Sequence, residues 1–378
     1  MTRPTTLCIV AGEASGDAHA GGLVAAFRAL SPGCEWFGAG GPGLIAAGAE
    51  VLVSMENLAV VGVAEVFSHL PALWRAMAHL KAAIRERKPD ALVLVDFPDF
   101  NFRLATFASR LGIPVLYYIT PQVWAWRPGR VKFLKRHVKR ALVILPFEEA
   151  FLRERGMDAV FVGHPLAGMV AAPSDRVAFR ARHGVEPGAP CVALLPGSRR
   201  SEVRRNLPAL LDAARLLTRT FPEAHFFVPW APSLQVEPPG AEEASPVRFV
   251  RGEYLDVLGH ADAAAVASGT ATLEAALLGV PQVVVYRLQP LTFAIGRRLV
   301  QLDHVALPNV VLGRHAVPEL LQGDFTAQNV ARKLEDYLAD SETARASAAR
   351  LSEELRSALG GGDAYRRAAE EVLKAVSG

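Results

Sequence analysis

The stretch that most constrains this chain runs from Ala263 to Arg287, AAAVASGTATLEAALLGVPQVVVYR. It reads as an apolar strand to Ala267, a small-residue turn Ser268-Gly269-Thr270, a helix to Leu278, and a β-branched strand beyond Gly279 and Pro281. Such a strand, turn, helix, strand unit belongs to a parallel sheet with helical crossovers. The turn would place hydroxyls and backbone N–H groups at a helix N-terminus, where the macrodipole favours an anion such as a diphosphate. Glu274 follows one helical turn later among alanine and leucine. A carboxylate there needs a donor: a ribose diol is one, and water on an ordinary crossover helix is the other.

Apolar runs alternate with helical patterns along the whole chain. LCIVAG, EWFGAG, ALVLVDF, PVLYYI, RALVILP and AVFVGHP form a first series, and CVALLPGS, HFFVPW, VRFV, AAAVAS and PQVVVY a second. The alternation predicts two Rossmann-like α/β domains facing a cleft, and 378 residues are enough for two cores. Pro173, Pro187 and Pro190 mark the passage between them, so the boundary is placed at 1–170 and 171–359, with alanine-rich helices from about Thr326. The Pro-rich loop around Val236 to Pro246 is expected to be mobile. No apolar run reaches the roughly 18 residues of a membrane-spanning helix, and the N-terminus has no signal-peptide pattern, so a cytoplasmic protein is expected. Cys8, Cys34 and Cys191 lack metal-ligand spacing and read as small buried residues.

Ligands of open parallel sheets bind beyond the carboxyl ends of the strands. The first strand ends in AGEASGD, where a substrate could approach the backbone closely or Ser15 or Asp17 could simply cap the next helix. Another ends at Asp96, whose partial desolvation would suit a general base, while Asp99 is the better helix cap. GAGGPG, Gly38 to Gly43, matches G-x-G-x-x-G formally, but it follows the second strand and contains Pro42, so a plain glycine-rich turn is expected. LLPGSRRSEVRRN ends a strand in Pro196-Gly197-Ser198 and opens a long helix at Arg199, offering a hydroxyl, N–H groups and a guanidinium to one anion. Two anion-binding strand ends in one domain suit a nucleotide diphosphate. No Walker A lysine and no D-x-D pair occur, which argues against an ATPase and weakens a metal-dependent transfer.

AGEASGD, VDFPDFNFRLA, YYITPQVWAWRPGRVKFLKR, FVGHPL, LLPGSRRSEV, ASGTATLEAALLGVPQVVVYR and LPNVVLGR, in this order, resemble the lipid-A-disaccharide synthase family over nearly the whole chain. The resemblance implies a GT-B glycosyltransferase. It would join UDP-2,3-diacylglucosamine to 2,3-diacylglucosamine 1-phosphate with inversion, giving a β-1,6-linked disaccharide and UDP. It implies Asp96 as base and Arg199, Glu274 and Asn309 in donor binding or turnover. Ser198, Ser268, Gly269 and Thr270 would complete the donor site. Glu13, Ser15, Asp17 and Trp124 are assigned to the acceptor, and a helix near 360–378 is expected to pack back on the first domain. No cofactor, metal or nucleic acid is expected. Alternatives are a muramyl-type N-acetylglucosaminyltransferase or UDP-sugar 2-epimerase of the same fold, or a non-enzymatic lipid or nucleotide-sugar binder.

One basic segment remains. Arg127 to Arg140 holds seven Lys or Arg and no carboxylate in a chain whose net charge is only +3. Val131, Phe133, Leu134 and Val138 interleave with the charges, and Trp124 and Trp126 precede them. Either an ordinary surface helix or an interfacial one fits. Acylated substrates favour the second, so Trp126, Lys132, Phe133, Lys135, Arg136 and Lys139 are expected to meet an anionic membrane surface, peripherally on the inner face of the inner membrane.

Overall fold

A computed structural model describes residues 4–58, 66–124, 129–170, 174–231, 234, 237–240, 246–287 and 304–377. Trp126 and much of the 236–246 loop fall outside these residues. The chain forms two compact units, Met1–Gly168 with Leu359–Gly378, and Met169–Ala358.

In unit 1 the strands β1 (Thr6–Ala11), β2 (Glu35–Gly40), β3 (Glu50–Ser54), β4 (Ala91–Val95), β5 (Val115–Tyr118), β6 (Arg140–Val143) and β7 (Ala159–Phe161) form one sheet in the order β3-β2-β1-β4-β5-β6-β7. Every pairing is parallel. The central strands are buried along their whole length, as their unbroken apolar runs require when helices cover both faces. The sequence reading missed β3, whose residues EVLVS are only half buried at the sheet edge.

Unit 2 repeats the plan. β8 (Cys191–Leu195), β9 (His225–Trp230), β10 (Val247–Arg251), β11 (Ala263–Ala267), β12 (Gln282–Tyr286) and β13 (Glu319–Leu321) pair in parallel, in the order β10-β9-β8-β11-β12-β13. The short edge strand β13 also escaped the sequence reading. In each sheet the first strand sits beside a strand reached by reversing direction, β1 beside both β2 and β4, and β8 beside both β9 and β11. That reversal opens the crevice where ligands of doubly wound sheets bind.

The helix Ala364–Ser377 belongs to unit 1. Its Ala368, Ala369 and Val372 are fully buried with Leu23, Val24 and Phe27 of the helix Ala14–Leu30. Arg140 on β6 holds Glu371 at 2.6 Å, and Lys139 Nζ donates to the carbonyl of Ala375 at 3.2 Å. Cys8, Cys34 and Cys191 are buried free thiols.

Candidate functional site

In unit 2, β8 gives way after Leu195 to Pro196, Gly197 and Ser198, and Arg199 caps the helix Arg200–Leu217. Gly197 has φ +113°, and a Cβ there would lie 2.5 Å from the Glu202 carboxylate. Further along the chain, β11 ends in Ser268 and Gly269, and the helix Thr270–Leu277 starts. Gly269 turns at φ +154°, and a Cβ there would meet no heavy atom within 4 Å, so its backbone faces open space. Both strand ends line one cavity of about 570 Å³ that brings together Ser198, Arg199, Ser268, Gly269, Thr270 and Glu274.

The chemistry of this cavity differs in part from the sequence reading. The N–H groups of Ser198 and Arg199 already donate to Glu202 Oε2, at 3.1 and 3.3 Å. Glu202 stands at the third helical position, from which an acid reaches back to the cap. The Arg199 guanidinium lies 3.5 Å from Glu202 Oε1, its side chain 82% exposed. Ser268 spends its hydroxyl proton on the carbonyl of Val305 at 2.8 Å. Gly269 and Thr270 begin a helix whose first amides have no partner within the helix. Glu274 is half-buried, burial raises its carboxyl above the usual range, and Tyr254 donates to Oε2 at 2.5 Å. Tyr254 and Trp230 also line the cavity and went unnoticed in the sequence. Their signal was available: each stands at or just past the carboxyl end of a strand, β9 or β10.

Asn309 does not join them. It is fully buried, its Nδ2 donates to Val317 O and Glu319 Oε1 at 2.9 and 2.8 Å, and its Oδ1 accepts from the Ala316 and Val317 N–H groups at 2.7 and 2.8 Å. With donor and acceptor capacity both spent on Ala316, Val317 and Glu319, its side chain has nothing left for a donor substrate.

In unit 1 the strand ends carry carboxylates. β4 ends at Val95, and Asp96 and Phe97 both adopt left-handed backbone at φ 44° and 50°. Such conformations cost of order 1–3 kcal/mol each in residues with a side chain and persist where the surroundings fix them. Here the Asp96 carbonyl accepts from Asn101 Nδ2 and the Tyr117 hydroxyl, both at 2.7 Å, and its N–H donates to Tyr118 O at 3.2 Å. Gly12 leaves room for the Phe97 ring, which would sit 2.3 Å from a Cβ at that position. Burial raises the Asp96 carboxyl, the Glu13 charge adds to this, and the Phe97 N–H opposes it. That is the setting of a base near its working range. Glu13, which caps the helix Ala14–Leu30, and Ser15 in its first turn are exposed.

Asp17 faces the other way. It is buried and accepts from the N–H groups of Gly41, Gly43 and Leu44 at 2.6, 2.7 and 3.3 Å, so the acceptor assignment fails for it. Those bonds explain the glycines of GAGGPG, whose anion is internal. Asp99 is no cap either: Phe97 caps the helix Pro98–Arg110, and Asp99 pairs on the surface with Arg130 at 3.0 Å. Trp124 is half-buried, with its Nε1 donating to Glu148 Oε1 at 2.8 Å and its ring edge-on to Phe147 at 4.9 Å. Glu148, missed in the sequence, is buried and pushed up to about 7 by desolvation, against the donors at Leu145, Trp124 and Ile144.

The basic segment needs correction. In the helix Arg130–His137, Val131 and Leu134 are buried, as is Val138 behind it. Phe133 packs on Phe102 at 4.5 Å, and Lys139 is engaged by Ala375. The core of unit 1 therefore takes the apolar residues of this segment, leaving Lys132, Lys135 and Arg136 as exposed cations. Among the described Phe, Tyr and Trp side chains, Trp74 is exposed, at 62%. No described helix is long and apolar enough to cross a membrane, and no described group of His, Cys, Asp or Glu could hold a metal ion.

Comparison with known proteins gives a consistent result. The sequence model described as lipid-A-disaccharide synthetase matches residues 7–375. The lipid-A-disaccharide synthase of Geobacter metallireducens is 44% identical over 372 residues, 97% of this chain and 96% of that one. The enzyme of the same name from Myxococcus xanthus is 45% identical over 377 residues, 99% and 98% of the two chains. Among solved structures, a putative UDP-N-acetylglucosamine 2-epimerase from Listeria monocytogenes has a TM-score of 0.67 at 12% identity, covering 99% and 96%. Anabaena HepE in complex with UDP and glucose has a TM-score of 0.60 at 14% identity, covering 98% and 100%. At these identities the structures speak for the fold alone, which is the GT-B arrangement of two Rossmann-like domains.

Proposed function

Since the chain belongs to the lipid-A-disaccharide synthetase family and is a glycosyltransferase, we propose the following division of its reaction between the two units. The enzyme takes a UDP-sugar and a lipid acceptor, namely UDP-2,3-diacylglucosamine and 2,3-diacylglucosamine 1-phosphate, and forms the β-1,6-linked lipid A disaccharide 1-phosphate and UDP. Family membership does not favour the epimerase, the muramyl-type transferase or the non-enzymatic binder. The observation that carries the division is the convergence of two strand ends on the unit 2 cavity, with an exposed guanidinium at one and a helix N-terminus at the other.

Inversion requires the acceptor C6 hydroxyl to attack the anomeric carbon from the face opposite the diphosphate. Asp96 takes the hydroxyl proton as the C–O bond forms. The electron pair of the breaking bond leaves with the diphosphate, where Arg199 and the amides at Gly269 and Thr270 receive the charge. Glu274, anchored by Tyr254, takes the ribose hydroxyls, and Trp124, anchored by Glu148, flanks the acceptor together with Glu13 and Ser15. The exposed Lys132, Lys135 and Arg136 favour a peripheral stay on the anionic inner face of the inner membrane, each near-surface cation adding about 1 kcal/mol.

The test is UDP release with and without the acylated acceptor. Acceptor-dependent release is expected from the wild type, and Asp96→Asn should lower turnover by roughly 10²- to 10⁴-fold while UDP binds as before. A variant within a few-fold of wild type would remove Asp96 from the chemistry and leave Glu13 as the base to examine.

A further inference from the structure

The unit 2 sheet carries a second recess at its opposite end. The helix Arg176–Arg182, the loop Gly188 to Pro190 and the start of the helix Ser341–Ala358 enclose about 350 Å³. The floor is Asp262, the residue before β11, whose N–H donates to Cys191 O at 2.7 Å and whose Oδ2 accepts from the N–H of Cys191, the first residue of β8, at 2.8 Å. The donor cavity lies beyond the carboxyl ends of these same two strands, and this recess lies at their amino ends. Five residues of strand at about 3.3 Å each separate the two by roughly 16 Å.

Arg176, Arg180 and Arg345 line the recess, and Asp262 is the one carboxylate among its described lining residues. Arg176 Nη2 lies 2.8 Å from Asp262 Oδ1, and Arg345 reaches the same oxygen. Arg180 gives its Nη2 to the carbonyls of Glu186 and Ala189, both at 2.6 Å, neutral acceptors that leave its charge uncancelled. Three guanidiniums against one carboxylate leave two positive charges in excess. Their field reaches the neighbours: burial and the repulsion of Arg176 and Arg180 hold Arg345 below the ordinary arginine range. Burial pushes the Cys191 thiol up, while Arg180, Arg176 and Arg345 pull it down. Stapling Asp262 to a helix requires one guanidinium. A second on the same oxygen and a third beside it add repulsion without adding a partner.

We propose that this recess is a binding site for a small dianion bearing a phosphate or diphosphate group, held by the forks of Arg176 and Arg345 in the field of Arg180. Guanidinium pairs match phosphate oxygens bidentately, and a dianion would cancel the excess charge. The group can come from a soluble phosphate compound or from a lipid headgroup, since both present the same oxygens.

Calorimetric titration of pyrophosphate into the full chain already saturated with UDP, at low ionic strength, tests the site. The wild type should bind one further equivalent. Arg345→Gln should weaken that equivalent at least about tenfold while UDP affinity stays within about twofold, and Arg345→Lys should restore it only in part because the fork is lost. Arg345 is half exposed, so its variants should fold, and a thermal melt confirms it. No further equivalent in the wild type, or one unchanged in both Arg345→Gln and Arg176→Gln, would overturn the proposal. A protein that did not bind UDP would still show the Arg345-dependent equivalent, so this reading and that of the donor cavity fail separately. Vesicles of phosphatidic acid in phosphatidylcholine identify the source: displacement of wild type by pyrophosphate, absent in Arg345→Gln, points to a headgroup, and indifference to pyrophosphate points to a soluble compound.

Discussion

Each sheet has a glycine turn that holds a carboxylate of its own chain, and the two turns hold it differently. In unit 1, Asp17 is 3% exposed and takes the N–H groups of Gly41 and Gly43 at 2.6 and 2.7 Å. In unit 2, Glu202 has a side chain 29% exposed and takes those of Ser198 and Arg199 at 3.1 and 3.3 Å. Both turns are anion sites built from backbone amides. The first is closed by short, buried, charge-assisted bonds, which makes it part of the scaffold. The second holds its anion on longer bonds within reach of water, as the proposed diphosphate site requires. A glycine pattern therefore marks where the backbone can cradle an anion, and the resident side chain decides whether a ligand can use it.

Asp17→Ala should break the comparison most visibly. Loss of three amide partners inside unit 1 is expected to destabilise the protein by about 3 kcal/mol or more in urea denaturation, with UDP affinity of the folded protein unchanged. Arg199→Ala should reduce turnover roughly 10- to 100-fold, with Arg199→Lys between it and wild type; equal rates for Lys and Arg would exclude a bidentate hold on the diphosphate. Glu202→Gln removes the competing charge and should tighten UDP a few-fold by calorimetry at a stability change under about 1 kcal/mol. An unchanged affinity would show that the carboxylate stays in place when UDP binds.

A pH-dependent effect comes from Glu148, a carboxylate buried without such a turn. Its folded pKa of about 7 lies above the ordinary 4.5, so the folded state holds the proton more tightly than the unfolded one. Stability from this group is therefore greatest below pH 4.5 and is lost as pH rises towards 7. Glu148→Gln should flatten that slope in melts across the interval while the Trp124 fluorescence environment is kept.

Periodicity and strand ends carried most of what the sequence could say. The crossover at Ala263–Tyr286 matches its reading almost residue for residue, because strand, glycine turn and helix cap are all local signals. The edge strands β3 and β13 were not legible, since a half-buried edge strand needs few apolar residues. Site residues were readable only as residue type and position. Ser198, Arg199, Ser268, Gly269, Thr270 and Glu274 do meet in one cavity. Asn309 and Asp17 have the right chemistry and point inward, and pointing is decided by partners distant in sequence. The basic helix shows the same limit: its apolar stripe suits a protein core or a bilayer equally, and Val131, Leu134 and Val138 lie in the core of unit 1.

The return of Ala364–Ser377 to unit 1 sets an order of events during synthesis. Residues up to Gly168 leave the ribosome with one face of the helix Ala14–Leu30 still uncovered, because Ala368, Ala369 and Val372, which bury it, are made only after the whole of unit 2. Unit 2 is contiguous and can close on itself while the first unit waits. The unit that is translated first is thus completed only after the second has been made, and for that interval the apolar face of its first helix is open to aggregation and to chaperones.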